Sequence, residues 1–210
     1  MNLPFTIEQF LNIFKIYNDS IFPAQIFAYV LGVICIILIF RTSNKSSRII
    51  LVVLGLYWLW MGVVYHLLNF TQINNAAYIF GAIFIIQGLI FLYIVVFKNE
   101  LTFKFDKSLN SITGIVLIIY AMFIYPLIGM WLGHSYPNSP VFGVAPCPTT
   151  IFTFGILLQV KNRLNIWIYI IPLIWSVIGF FAAIKLGITE DVGLLISGLI
   201  TGIILFKQRN

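Results

Sequence analysis

The stretch Val141-Phe-Gly-Val-Ala-Pro-Cys-Pro-Thr-Thr-Ile-Phe-Thr-Phe-Gly-Ile-Leu-Leu-Gln-Val160 decides how this chain is threaded. It contains no Asp, Glu, Lys or Arg, and its length matches the roughly 20 residues with which a helix crosses about 30 Å of hydrocarbon. Pro146 and Pro148 interrupt its first half, and proline removes backbone donors and bends helices. Six other uncharged runs share the chain with it, at 21–40, 49–68, 77–97, 112–132, 166–184 and 192–206. If all seven cross, Arg41, Lys45, Arg48, Lys98, Lys104, Lys107, Lys161, Arg163, Lys207 and Arg209 share one side, and only Lys15 and Lys185 occupy the other. If 141–160 does not cross, the same cations split seven against five. Cationic loops stay cytoplasmic. Seven spans, N-terminus out and C-terminus in, is therefore the expected arrangement, with six as the alternative.

Composition agrees with that reading. The chain is 61% hydrophobic and 9% charged, against about 25% charged in soluble domains, and its mean hydropathy is +1.04. The expected class is an all-α integral membrane protein whose first partner is the lipid bilayer. A net charge of +6 would suggest a nucleic-acid partner in a soluble protein. Here the cytoplasmic bias of cationic loops accounts for it, and no nucleic acid is expected. Two cysteines, Cys35 and Cys147, are too few for a disulfide framework. The first residues lack a cationic start and an uninterrupted apolar core, so no cleavable signal peptide is expected.

Residues 1–20 read as an amphipathic helix on the outer leaflet, ahead of a single membrane domain over 21–210. Thr6 with Gln9 fits a capping box, and Leu3, Ile7, Phe10, Phe14 and Tyr17 recur at helical spacing. The segment 98–111 reads as a short cytoplasmic strand or hairpin-like loop. Gly129 with Gly133, and Gly198 with Gly202, form G-x-x-x-G pairs suited to close helix contact. Gln87, alone and polar in mid-span, reads as interhelical glue. Trp58, Trp60, Tyr65 and Trp131 suit an outer aromatic belt.

The threading brings His66, His134, Cys147, Glu190 and Asp191 to the outer face. His66, His134, Cys147 and Asp191 together offer donors for a transition metal, at no compact metal spacing. The two histidines could instead ligate a haem. Five prolines, Pro126, Pro137, Pro140, Pro146 and Pro148, crowd the region that includes 133–150. Freed carbonyls in lipid must be buried or line a wet cavity. This region therefore reads as a folded cap over a broken helix. Tyr65, Tyr136, Thr149, Thr150 and Glu190 are its candidate lining; the threonines either face a polar path or bond back to their own helix.

Two seven-span comparisons fail at the residues that matter. Retinal proteins carry a lysine in the last span, and 192–206 has none. Seven-span zinc hydrolases use three histidines with an aspartate, and this chain has two histidines. The phrases Pro4-Phe-Thr-Ile-Glu-Gln-Phe10, Trp60-Met-Gly-Val-Val-Tyr-His66, Gly133-His-Ser-Tyr-Pro137 and Pro146-Cys-Pro-Thr-Thr-Ile-Phe-Thr-Phe-Gly155 resemble an uncharacterised bacterial family of multi-span membrane proteins, a domain of unknown function. The resemblance implies the architecture and a bacterial cytoplasmic membrane, and it brings no activity.

Three functions remain open: binding or transport of a small solute or cation through an outer-facing cavity, a membrane enzyme or redox protein using the outer histidines, and an assembly protein without a small-molecule site. Lys15 and Lys185 against Glu8, Asp19, Glu190 and Asp191 leave the outer segments acidic, which favours a cation or neutral solute. No Asp, Glu, Lys or Arg lies within a span, which disfavours a proton-coupled pump.

Overall fold

The computed structural model describes residues 4–97, 101–162 and 165–207. Leu3 of the amphipathic face and Lys98, Arg163 and Arg209 of the charge count lie outside these. The described residues form nine α-helices: α1 (Ile7–Ile21), α2 (Ala24–Phe40), α3 (Asn44–Trp60), α4 (Ala77–Phe97), α5 (Leu109–Ile119), α6 (Tyr125–Trp131), α7 (Pro146–Leu157), α8 (Trp167–Leu186) and α9 (Val192–Lys207). Two π-helical stretches interrupt the regular pattern. Met61–Leu67 continues α3, and Tyr120–Ile124 joins α5 to α6.

Five continuous helices are long and apolar enough to cross a membrane: Asn44–Gln72, Ala77–Phe97, Leu109–Trp131, Trp167–Leu186 and Thr189–Lys207. A sixth crossing is available if α1 and α2, bent by 84° where they meet, count as one. The capping box over Thr6 and Gln9 is formed as the sequence indicates. Yet α1 does not simply rest beside the bundle. Phe14 and Tyr17 are buried, and Asn18 donates to the carbonyls of Pro137 and Ser139 at 2.7 and 2.9 Å.

The decisive stretch 141–160 is not the full-length helix its lack of charge suggests. Only the 12 residues of α7 are helical, about 18 Å at 1.5 Å per residue, well short of the hydrocarbon thickness. Pro146 and Pro148 are the reason. Neither has an N–H to donate, so both fit the first turn of a helix and neither fits its interior. The chain before Pro146 runs as turns, with Gly143 at φ +80°. The Gly143 N–H donates to Thr149 Oγ1 at 2.9 Å, which ties the loop to the helix it precedes.

Except for Cys147, every residue of α7 is buried, in a sheath made by α5, α8 and α9. Trp58 of α3 completes the contact, with its Nε1 donating to Thr153 Oγ1 at 3.0 Å. Trp58 stacks on Phe84 with ring centroids 4.5 Å apart. It is a core residue, and so is Tyr65; of the four aromatic-belt candidates only Trp131 is largely exposed.

The tightest helix pair, α3 with its π extension against α4, is closed by glycines that the G-x-x-x-G reading passed over. A Cβ on Gly62 would stand 2.9 Å from the Gly81 carbonyl oxygen, and one on Gly88 would stand 2.9 Å from that of Gly55. Gly198 is equally crowded, against Ser176 of α8. Gln87 bridges helices as expected, its Nε2 donating to the Ile168 carbonyl at 3.1 Å.

At the opposite end from the proline-rich loop, residues 101–105 are extended and form one antiparallel bridge, Phe103 with Val160. Lys104 N–H donates to the Gln159 carbonyl, Phe105 N–H to Ile39 and Phe103 N–H to Ser47 Oγ, at 3.0, 3.2 and 3.1 Å. This strand-like segment ties together the ends of α2, α3 and α7. An ion pair between Lys161 and Asp106 closes the same end, and the lysine beside it holds the Asp106 carboxyl below the usual carboxylate range.

Candidate functional site

The first π stretch turns Tyr65 and His66 into the bundle rather than around it. A π turn adds a residue to the helical repeat and redirects the side chains that follow, which is why such turns recur at functional sites. His66 is fully buried. Its ring meets those of Phe84 at 4.7 Å, Trp175 at 5.3 Å and Phe80 at 5.8 Å, all edge-on. Neither of its nitrogens has a hydrogen-bond partner among the described residues.

These residues form part of the wall of a cavity of about 340 Å³. Phe10 and Phe14 of α1 and the preceding Phe5 cover it from one side. From its middle onward α8 supplies Trp175, Gly179, Ala182 and Lys185, and α7 supplies Pro146 and Cys147. Asp191 reaches it from the turn between α8 and α9. That turn is set by Gly187, which ends α8 in the left-handed region at φ +69°, a conformation that glycine adopts without steric cost.

The neighbouring acids face opposite ways. Asp191 accepts from Tyr125 Oη at 2.6 Å and shares a hydrogen bond with the Cys147 thiol. Glu190 lies 3.1 Å through Oε1 from His134 Nδ1. Gly129 leaves room for that pair, since a Cβ there would sit 3.2 Å from the Glu190 carboxylate. The second π stretch serves this acidic turn: Tyr120 donates to the Glu190 carbonyl at 2.8 Å, and Tyr125 directly follows the stretch. Pro126 is its sequence signal. A proline cannot bond to the carbonyl four residues back, and that carbonyl, on Met122, accepts instead from Tyr29 Oη at 3.1 Å.

His66, Cys147, Asp191 and Tyr65 therefore meet at one cavity, as their shared face suggests. His134 does not join them; with Tyr136 it lines a second depression of about 490 Å³ beside Tyr29 and Gln25. Among the described residues, no group of three or more His, Cys, Asp or Glu side chains is arranged to hold a metal ion. Thr149 and Thr153 bond back to the carbonyls of Ala145 and Thr149 within α7. Neither they, nor Thr150, nor Glu190 borders the His66 cavity. Trp175 and Tyr125 were not foreseen. Nothing in their own segments distinguishes them from other mid-helix aromatics, whereas a buried Trp N–H or Tyr O–H usually finds a partner. Among the described residues the Trp175 Nε1 meets no oxygen or nitrogen partner, only the weakly accepting sulfur of Cys147 beside it.

Tyr125→Phe would leave Asp191 without its strongest donor in a buried setting. The expected loss of stability is about 1–3 kcal/mol, measurable by thermal unfolding in detergent beside the wild-type protein.

Fold and site together define an all-helical protein with five to six helices suited to crossing a membrane and an aromatic cavity at one end of the bundle. The chain belongs to a family of unknown function, DUF6064, which matches residues 7–210. Comparison with curated proteins and with solved structures finds no match.

Proposed function

We propose that the protein is a multi-pass membrane protein that binds a small, largely apolar solute in the cavity beside His66, entered from the exoplasmic half. The carrying observation is the cavity itself. At about 340 Å³ it lies within the range of small-ligand sites, which are mostly apolar with a few converging polar groups. Here the polar groups are His66, Cys147, Asp191 and Lys185. Seven crossings with the N-terminus outside fit the charge asymmetry best. In that threading α7 is the fifth crossing, completed by the turns before Pro146. Its far end, where Gln159 donates to the Ser111 carbonyl at 3.0 Å, then lies on the cytoplasmic side. Binding is favoured over transport because Thr149 and Thr153 of α7 spend their hydroxyls on carbonyls four residues back rather than on a path onward from the cavity.

The test uses Cys147 in a Cys35→Ala background, in sealed right-side-out vesicles. The membrane-impermeant reagent 2-(trimethylammonium)ethyl methanethiosulfonate added outside is expected to modify Cys147, and Ala182→Trp, which fills the cavity, to slow that reaction about tenfold or more. Equal rates with and without the tryptophan, or labelling only from the cytoplasmic side, would overturn the proposal.

A further inference from the structure

The atoms left without partners around the cavity describe the ligand that would complete it. A neutral imidazole has one N–H donor and one bare nitrogen acceptor, and both nitrogens of the fully buried His66 are unpartnered. The Trp175 Nε1–H, a donor only, has no nitrogen or oxygen partner among the described residues, only the weakly accepting Cys147 sulfur beside it, and its ring stands 5.3 Å from that of His66. The Asp191 carboxylate, by contrast, already receives Tyr125 and Cys147. A buried polar group without a partner costs more than a typical hydrogen bond contributes, so one group that accepts from the Trp175 N–H and donates to a bare imidazole nitrogen of His66 would complete this wall. A hydroxyl does both. A pure hydrocarbon does neither, and an ether or ester oxygen only accepts. Much of the rest of the wall is aromatic, from Phe5, Phe10, Phe14, Tyr65, Phe70 and Phe80, which suits a ring at centroid separations of about 4.5–7 Å. Phe181, 59% exposed, stands at the rim on α8 and leaves a route for an apolar tail towards the surrounding lipid.

We infer that the cavity takes a membrane-dissolved amphiphile headed by a hydroxyl on a ring, a phenol with an apolar tail, whose O–H is held by His66 and Trp175. The inference rests on the binding reading above and specifies its ligand class. The hydroxyl oxygen accepts from the Trp175 N–H, and its hydrogen goes to one imidazole nitrogen of His66 in the tautomer that leaves that nitrogen bare.

Three probes separate the possibilities with protein reconstituted in lipid nanodiscs: para-octylphenol, para-octylanisole, which accepts but cannot donate, and octylbenzene, which does neither. Wild type is expected to bind octylphenol about tenfold more tightly than octylbenzene, as one to two net hydrogen bonds give, with the anisole between. His66→Phe, which keeps a ring among the surrounding rings, is expected to erase that preference and leave octylbenzene within about twofold of its wild-type affinity. His66→Gln restores a donor and an acceptor and is expected to recover part of the preference. If octylbenzene and octylphenol bind wild type equally, or the preference survives His66→Phe, the hydroxyl inference falls while the cavity remains a binding site. If none of the three binds, both the inference and the binding reading fall.

Discussion

Trp58→Ala is expected to lower the unfolding free energy by about 3 kcal/mol, at the lower end of the range for removing a buried tryptophan. The lower end is appropriate because helices separated within a bilayer remain in hydrocarbon, so the transfer component of burial largely drops out. What remains is the void and two lost contacts: the stack on Phe84 and the hydrogen bond to Thr153 of α7. Leaving Thr153 its internal bond to the Thr149 carbonyl limits the polar part of the loss. Because Phe84 also meets the His66 and Trp175 rings, the variant should loosen the cavity wall as well as the core. Unfolding in a mixed-micelle denaturant titration, followed by near-ultraviolet circular dichroism, measures the first effect. A loss below about 1 kcal/mol would mean that Trp58 is not packed as described.

Gly62→Val is expected to be at least as damaging, about 3 kcal/mol or more, the upper range for overpacking. The added carbons would meet two backbone atoms, the Gly81 carbonyl oxygen at 2.9 Å and the Ile85 nitrogen at 3.0 Å. Backbone cannot rotate out of the way as a side chain can, so α3 and α4 would have to separate. Gly202→Ala is the contrasting case. Its Cβ would first meet Leu173 Cδ2 at 4.0 Å, an ordinary contact, and alanine favours a helix over glycine by up to about 1 kcal/mol. This variant should therefore be neutral or slightly stabilising in the same titration.

The contrast between Gly62 and Gly202 also shows which parts of the molecule were legible in the sequence. Uncharged runs located the long helices, since length and apolarity are properties of a segment alone. Thr6 with Gln9 announced the start of α1, because a capping box is local. Which face of a helix turns inward is another matter. In these helices the buried and the exposed faces are both apolar, so the periodicity that reveals a core in a soluble helix fades. Trp58 and Tyr65 accordingly resembled interfacial aromatics and proved to be buried. His66, Cys147 and Asp191 could be assigned to one end of the bundle and do meet at one cavity. The partition of the two histidines between different depressions depends on a π turn and on the opposite facing of two adjacent acids. Neither is encoded by spacing. The shortness of α7 was nearer the surface of the sequence: Pro146 and Pro148 marked where a helix could start, and the lack of charge before them obscured that mark.

In the membrane setting proposed above, the enclosure of α7 bears on how the chain would insert. A segment with Thr149, Thr150, Thr153 and Gln159 buried against protein on every side is poorly suited to wait in lipid as an independent insertion unit. Its coverage comes partly from α8 and α9, which the ribosome delivers only afterwards. Biogenesis of this fold is then expected to be non-sequential: the early helices insert, the threonine-bearing segment lingers near the translocon exit, and it settles between its neighbours once the last two helices have emerged.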